Sequence, residues 1–304
     1  MRRILTLSAA IGLAVSFSAS ASAADPSVTP FPSPQVGQVF IAAQTVTTDG
    51  AAANFFKPGS SVVLRAYAVD SKTHKVLAAK DVKYFYVTIP NQPNLKLKFD
   101  PNARGASARL PWSGTWNVPA TYAVGIVNFK ILIKTNAKRR GQFVQLPVAS
   151  SQLTISNNPP STLAPGPIGK TPPSAASLDV SIYVDSVNGT RPPAAAPRPV
   201  GCSQTNVYKR GEQFVLRTWG VDMATGEVLS TENIDTATAT IPGVAQPLTL
   251  NWGAHGATSN RVWFWTVPWN IPSDYALGEA TIRVSFKTDS GKTGVYDYTI
   301  TIIP

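Results

Sequence analysis

The chain has 304 residues, with 27 Lys and Arg against 16 Asp and Glu, only two His and one Cys. One cysteine excludes an intramolecular disulfide, a paired-cysteine zinc site and a C-x-x-C-H haem attachment, and two histidines exclude a three-histidine metal centre. The net charge of +11 bears on solubility and on encounter with anionic surfaces, and not on fold.

The chain opens on Arg2 and Arg3, an apolar stretch from Ile4 to Phe17, and Ala21-Ser22-Ala23. A basic start, a short apolar region and an A-x-A site form the pattern of a secretory signal peptide, residues 1–23. No later stretch approaches the ~20 apolar residues of a membrane-spanning helix, and no Cys follows the cleavage site to carry a lipid. The expected location is periplasmic or secreted. Cleavage leaves 304 − 23 = 281 residues and a charge of 11 − 2 = +9, enough chain for about two domains. Residues 24–36 are Pro-rich and expected to be extended.

An internal repeat supports two domains. At an offset of 152, residues 56–90 align without a gap on 208–242, with 13 identities in 35 positions. Lys57, Gly59, Val63, Leu64 and Arg65 recur as Lys209, Gly211, Val215, Leu216 and Arg217. Val69-Asp70 recurs as Val221-Asp222, and Thr88-Ile89-Pro90 as Thr240-Ile241-Pro242. Further on, Trp116-Asn117-Val118-Pro119 aligns with Trp265-Thr266-Val267-Pro268, Tyr122 with Tyr275, and Lys134-Thr135 with Lys287-Thr288. The reading is one domain over 37–156, a Pro-rich linker over 157–177 and a second domain over 178–304. The linker is too rich in Pro, Ser and Ala to bury a core. A second Pro/Ala run, 191–200, is expected to be a long loop.

The segments between turns are short and rich in Val, Ile, Thr, Tyr and Phe, with apolar residues at every second position. That spacing predicts half-buried antiparallel strands. In the second copy they fall at 178–184, 213–221, 234–241, 248–252, 261–267, 280–288 and 295–302. Seven short strands with regular turns predict an all-β sandwich in each copy. Asp222 to Glu227 reads as a tight connection, with Asp accepting backbone N–H groups and Gly226 supplying a positive φ. His74 stands where Gly226 does, so the first copy's turn is expected to differ.

The series apolar-x-Leu-Arg-x-aromatic-x-Val-Asp, Thr-Gly-x-Val-Leu, Trp-x-Val-Pro and a closing alternating strand resembles bacterial immunoglobulin-like modules of exported proteins. The resemblance covers most of residues 38–304. It implies two tandem sandwiches of the immunoglobulin or fibronectin III kind, serving as spacer, adhesive or ligand-binding units. Fold by itself does not assign function.

No motif points to catalysis, a metal or a cofactor. There is no G-x-S-x-G elbow and no Gly-rich phosphate loop. His74 and His255 sit at non-equivalent positions and read as loop histidines. Asp70 and Asp222 read as turn residues. An enzyme is not expected, and a hydrolase ranks behind a binding role. Cys202 is left open between pairing with another chain, burial and an incidental thiol.

Aromatic and basic residues carry the binding candidates. Alternation puts Val62, Leu64, Ala66 and Ala68 inward and Arg65, Tyr67 and Val69 outward, with Phe214 and Leu216 inward against Arg217, Trp219 and Val221. A repeated Arg beside a repeated aromatic is either a contact surface or an Arg stem packed on a ring. Trp265, aligned with Trp116, is expected in the core, and Trp252 replaces Phe99. Trp269 follows Pro268 in a loop, has no aromatic counterpart and is the candidate exposed stacking residue; otherwise it caps the core. Lys138, Arg139 and Arg140 lie in an end loop suited to phosphate, sulfate or carboxylate groups. The expected partners are a protein or an anionic glycan or cell-surface polymer. Nucleic acid is disfavoured, because no stacking strand accompanies the cluster. The expected function is a non-catalytic binding or structural protein of the cell envelope or exterior, with a polysaccharide- or surface-binding adhesin as the alternative.

Overall fold

A computed structural model describes residues 35–103, 110–145, 151–160, 179–189, 201–255 and 262–304. The expected signal peptide, residues 24–34, residues 161–177 of the linker and the 191–200 run lie outside the described residues.

The described chain is all-β, with a 3-10 turn at Ala79–Asp81. In the C-terminal half one sheet has the order Val180–Asn188, Gln213–Asp222, Val262–Asn270, Asn251–His255. The other runs Val207–Lys209, Thr293–Ile303, Gly278–Thr288, Ile234–Thr240, Leu248–Thr249. The N-terminal half repeats the plan. Val39–Val46, Ser61–Asp70, Trp112–Asn117 and Lys98–Phe99 form one sheet. Gln35–Gly37, Arg140–Val144, Lys130–Thr135, Val82–Thr88 and Leu95–Lys96 form the other. Neighbouring strands are antiparallel except where Val207–Lys209 joins Thr293–Ile303 and Phe55–Phe56 joins Thr154–Ile155.

Period-two burial explains the layers. Val62, Leu64, Ala66 and Ala68 are buried, and so are Phe85, Val87, Ile131, Ile133 and Phe143 of the facing sheet. Phe214 and Leu216 meet Ala237, Ala239, Ile282 and Val284 in the same way. Each fully buried large aliphatic or aromatic side chain contributes about 1.5–3 kcal/mol.

Three departures from the sequence reading have physical causes. The single strand expected at 248–252 is two, because the chain changes sheets at Leu250, which is buried and donates its N–H to Ala237 O at 2.9 Å. Leu97 does the same with Phe85 O at 2.9 Å. The last strand of the C-terminal half is continuous, whereas its N-terminal counterpart is divided between Arg140–Val144 and Thr154–Ile155.

The third departure is at the turn. His74 and Gly226 both adopt positive φ, at 54° and 76°. His74 N donates to Asp70 O and Gly226 N to Asp222 O, each at 2.8 Å. Asp70 Oδ1 accepts from Lys72 N and Thr73 N, as Asp222 Oδ1 accepts from Ala224 N and Thr225 N. The two turns are therefore alike, and His74 carries the left-handed strain that Gly226 avoids. Replacing His74 with Gly removes that strain, and the greater freedom of Gly in the unfolded chain offsets part of the gain. The expected net is a stabilisation of about 0.5–1 kcal/mol, read as a higher urea midpoint with an unchanged slope. A lower midpoint would mean that the histidine ring makes contacts outweighing the strain.

Candidate functional site

The repeated Arg and aromatic pairs do not lie on a free surface. They lie where the two halves meet. Trp219 is 0% exposed and Arg217 2%, while Tyr67 and Arg65 are half-buried. Trp219 packs on Tyr183 and Phe264 at ring distances of 5.3 Å each, and Tyr183 meets Phe143 of the N-terminal half at 5.9 Å. In return, Tyr67 lies 6.1 Å from Tyr296 and donates its hydroxyl to Ile182 O at 3.1 Å. The hydrophobic cluster of the N-terminal half thereby includes Tyr183, Trp219, Val262 and Phe264 of the C-terminal half. The outward set of the alternation is correct as a sheet face, but the other copy covers that face.

The contact is reciprocal. Ala52 N donates to Asn206 Oδ1 at 2.7 Å, and Gln204 N donates to Asn54 Oδ1 at 3.0 Å. At the repeat offset Ala52 corresponds to Gln204 and Asn54 to Asn206, so each half gives the bond that it receives. Val69 and Val221, also equivalent, share one small cluster with Phe40 and Met223. Phe143 and Tyr296 occupy the same place on their strands, since Lys134 pairs with Arg140 as Lys287 pairs with Thr293. The halves are thus related by an approximate two-fold axis through Val69 and Val221, the geometry of an isologous dimer contained in one chain.

Charge breaks this symmetry. Arg217 makes two hydrogen bonds to Asp185, at 2.7 and 2.6 Å, and one to Ser151 Oγ at 2.6 Å. Gln204 Nε2 holds the same carboxylate at 3.2 Å. The strand register places Gln44 at the position equivalent to Asp185, opposite Arg65 as Asp185 is opposite Arg217. Burial lowers the pKa of Arg217, but the charge and hydrogen bonds of Asp185 outweigh it and raise the value overall. Arg65 has only the burial, and its pKa is lowered. Two cavities adjoin this region, each of about 20 Å³, one beside Arg217 and Asp185 and one beside Tyr296 and Asn206. Each has room for about one water.

Trp269 is also not exposed. It lies inside Val262–Asn270 at 8% exposure, edge-on to Tyr275 at 5.0 Å. Its counterpart is Trp116, edge-on to Tyr122 at 5.0 Å. Strand pairing sets this register: Ser61 is opposite Asn117 and Gln213 opposite Asn270. The same register makes Trp112, not Trp116, the equivalent of Trp265. Both donate their indole N–H to the equivalent carbonyls, Leu77 O at 3.0 Å and Leu229 O at 2.9 Å. Trp-Asn-Val-Pro at 116–119 against Trp-Asn-Ile-Pro at 269–272 was the sequence signal for it, at an offset of 153 that the later matches share. The pairing of Phe99 with Trp252 agrees with the structure, both rings lying against the core Trp at 5.2 and 5.5 Å.

The basic hairpin divides. Arg139 forms an ion pair with Asp70, as Lys292 does with Asp222 at 2.6 Å, and so serves the turn. Lys138, at φ 65°, and Arg140 are exposed. Of the remaining candidates, His74 is half-buried at its turn, and His255 is exposed and stacked 4.4 Å above Phe264. Cys202 is half-buried, and its carbonyl accepts from Ser151 Oγ at 3.0 Å.

One further surface, which no motif in the sequence marks, is the outward face of the N-terminal half's second sheet. Phe85, Val87, Ile131, Ile133 and Phe143 point into the core, which turns Tyr84, Tyr86, Lys130, Leu132, Lys134, Arg140 and Gln142 outward. Lys134 lies between Tyr84 and Arg140 across the sheet, and Leu132 between Tyr86 and Gln142. Lys96 is opposite Tyr86 on the other side, and the two tyrosine rings are 5.2 Å apart. Alternation alone could have placed these residues together once their strands were paired.

No protein-family model and no curated protein matches the chain. Among solved structures it is similar to dimeric latent PorU from Porphyromonas gingivalis, at 12% identity over 86% of this chain and 24% of that one, with a TM-score of 0.24. It is also similar to the Bacteroides ovatus mixed-linkage glucan utilization locus protein SGBP-B, solved with a mixed-linkage heptasaccharide, at 13% identity over 83% of this chain and 44% of that one, with a TM-score of 0.19. The chain spans less than half the length of either, and superpositions this loose assign neither ligand nor activity.

Removing one member of the buried ion pair leaves the other charge uncompensated. Arg217→Met is expected to cost about 3–5 kcal/mol, and adding Asp185→Leu to recover most of it. Denaturant unfolding of the two variants checks this. A double variant as unstable as the single one would show that packing against Ser151 and Phe264, rather than charge, holds this region.

Proposed function

We propose that this is an exported, non-catalytic binding protein of the cell envelope or exterior, in which two immunoglobulin-like modules are fused back to back into one body. The module assignment draws on the strand order. With the short flanking strands set aside, the first, second, fifth and fourth strands of each half form one sheet and the seventh, sixth and third the other, the fourth strand of the N-terminal half being the short Lys98–Phe99, which is the order of constant-type immunoglobulin domains. The leader-like start of the chain supports export.

The observation that carries the binding role is the reciprocal contact between the halves. It takes up the repeated Arg and aromatic residues and directs the opposite sheet of each half outward, as a fixed pair of presentation surfaces. Among the described residues, the four buried carboxylates are each held in an ion pair. Asp70 and Asp222 hold turns, Asp185 is bound by Arg217, and Asp297 by Arg283. The two cavities beside the contact between the halves each have room for about one water. Extended partners on open faces fit this surface better than a small substrate in a cleft.

The test is a panel of neutral and anionic polysaccharides, scored for retention on the immobilised full-length mature chain and for new reducing ends after long incubation. Retention with no change in polymer length is expected. Depolymerisation would replace the binding role with a hydrolase, and failure to retain any polymer would remove polysaccharides as partners.

A further inference from the structure

The duplicated scaffold carries its own control. At the positions of Asp235 and Asp297 in the C-terminal half, the repeat and the strand register place Lys83 and Val144 in the N-terminal half. In the C-terminal half the outward cations are neutralised: Arg283 bonds Asp297 at 2.8 Å and Lys287 bonds Asp235 at 2.6 Å. The equivalents of Arg283 and Lys287 are Lys130 and Lys134, and the five strands of their sheet contain five cations and no Asp or Glu. Thr236 and Thr238 of the C-terminal half correspond to Tyr84 and Tyr86. The fold thus tolerates paired charges and threonines here, and among the described residues it is the N-terminal copy that shows tyrosines among cations with no Asp or Glu on the same strands.

We propose that this face of the N-terminal half is a binding site for an anionic polysaccharide, a polymer bearing carboxylate or sulfate groups; the proposal rests on the binding role above and names its ligand class. Lys130 and Lys134 are four residues apart on one strand, so about 13 Å separates them. A single sugar cannot reach both, whereas an extended chain with charges repeated along it can. Leu132 lies between them, with Tyr86 beside it and Tyr84 beside Lys134, an apolar strip for the C–H faces of sugar rings. The tyrosine hydroxyls and the Gln142 amide both donate and accept, which suits sugar hydroxyls. A phosphodiester backbone calls on donors alone. A lipid surface would need protruding apolar residues, and among the described residues the large exposed ones, Val76, Val124, Ile126 and Leu277, lie outside this sheet. Arg140 and Lys96 close the two sides.

The experiment is isothermal titration of the full-length mature chain with alginate and heparin oligomers, neutral dextran oligomers, and an oligothymidylate of matched charge. The proposal expects alginate or heparin to bind, more weakly as salt rises. Lys130→Gln with Lys134→Gln should weaken binding at least tenfold, and Tyr84→Ala with Tyr86→Ala by a similar factor. Lys287→Gln, on the other half, should leave it within twofold. Circular dichroism and the melting temperature monitor folding, and Lys130→Gln with Lys134→Gln keeps the fold testable because both side chains face solvent. Equal losses from the Lys287 variant, or equal affinity for the oligothymidylate, would reduce the site to bulk charge and overturn it. Binding of dextran but not of the anionic polymers would sink this site and leave the binding role standing. Binding of none would sink this site, and the polysaccharide panel above then decides the polysaccharide-binding role separately.

Discussion

Two hydrogen bonds of the same kind, exchanged between equivalent residues, set the frame of this molecule. Ala52 gives to Asn206 what Gln204 gives to Asn54. Both asparagines are buried, and a buried acceptor left unmet costs about 1–3 kcal/mol. The approximate two-fold axis is therefore fixed by satisfaction of polar groups as well as by apolar contact. Around it the aromatic residues Tyr67, Trp219, Tyr183, Phe143 and Tyr296 fill the space between the sheets. The two halves pack directly on each other, and the hydrophobic cluster of the first takes in Tyr183, Trp219, Val262 and Phe264 of the second.

That arrangement explains why the copies have diverged where they have. Residues that meet their own equivalents near the axis stay alike, as Val69 and Val221 do. Off the axis the halves are free to differ. Asp185 partners Arg217 in one half, while Gln44 faces Arg65 in the other. A buried ion pair gives little net stability but is costly to break, so the Asp185–Arg217–Ser151 group acts chiefly to specify how the segment around Ser151 docks. On the far sheets the contrast in charge is greatest: Arg283 and Lys287 are paired in the C-terminal half, and the equivalent strands of the N-terminal half carry cations with no Asp or Glu.

Much of the fold was legible in the sequence because strand periodicity is local. Val62, Leu64, Ala66 and Ala68 announce their face, and the gapless match of 56–90 with 208–242 announces the repeat. Asp70 and Asp222 were readable as turn residues because an Asx turn needs only its neighbours. Trp269 was misplaced for a different reason. Trp-x-Val-Pro recurs four residues from the true match, and only the ladder pairing Gln213 with Asn270 shows which tryptophan is which.

Local pattern was enough to set the inward and outward sides of each strand, the duplication and the residue types on each face. Side-chain alternation and turn chemistry depend on a few adjacent residues, so they can be read along the chain. Which outward faces meet water and which meet each other was settled only in three dimensions. Arg217 and Trp219 read outward in the sequence and are outward from their own sheet, yet the first copy buries them. Tyr84, Lys130 and Lys134 read as ordinary positions on separate strands, and become one surface only when those strands pair. Burial between sheets depends on residues tens to more than a hundred positions apart, such as Arg217 and Ser151 or Tyr67 and Ile182, and no local pattern carries that information.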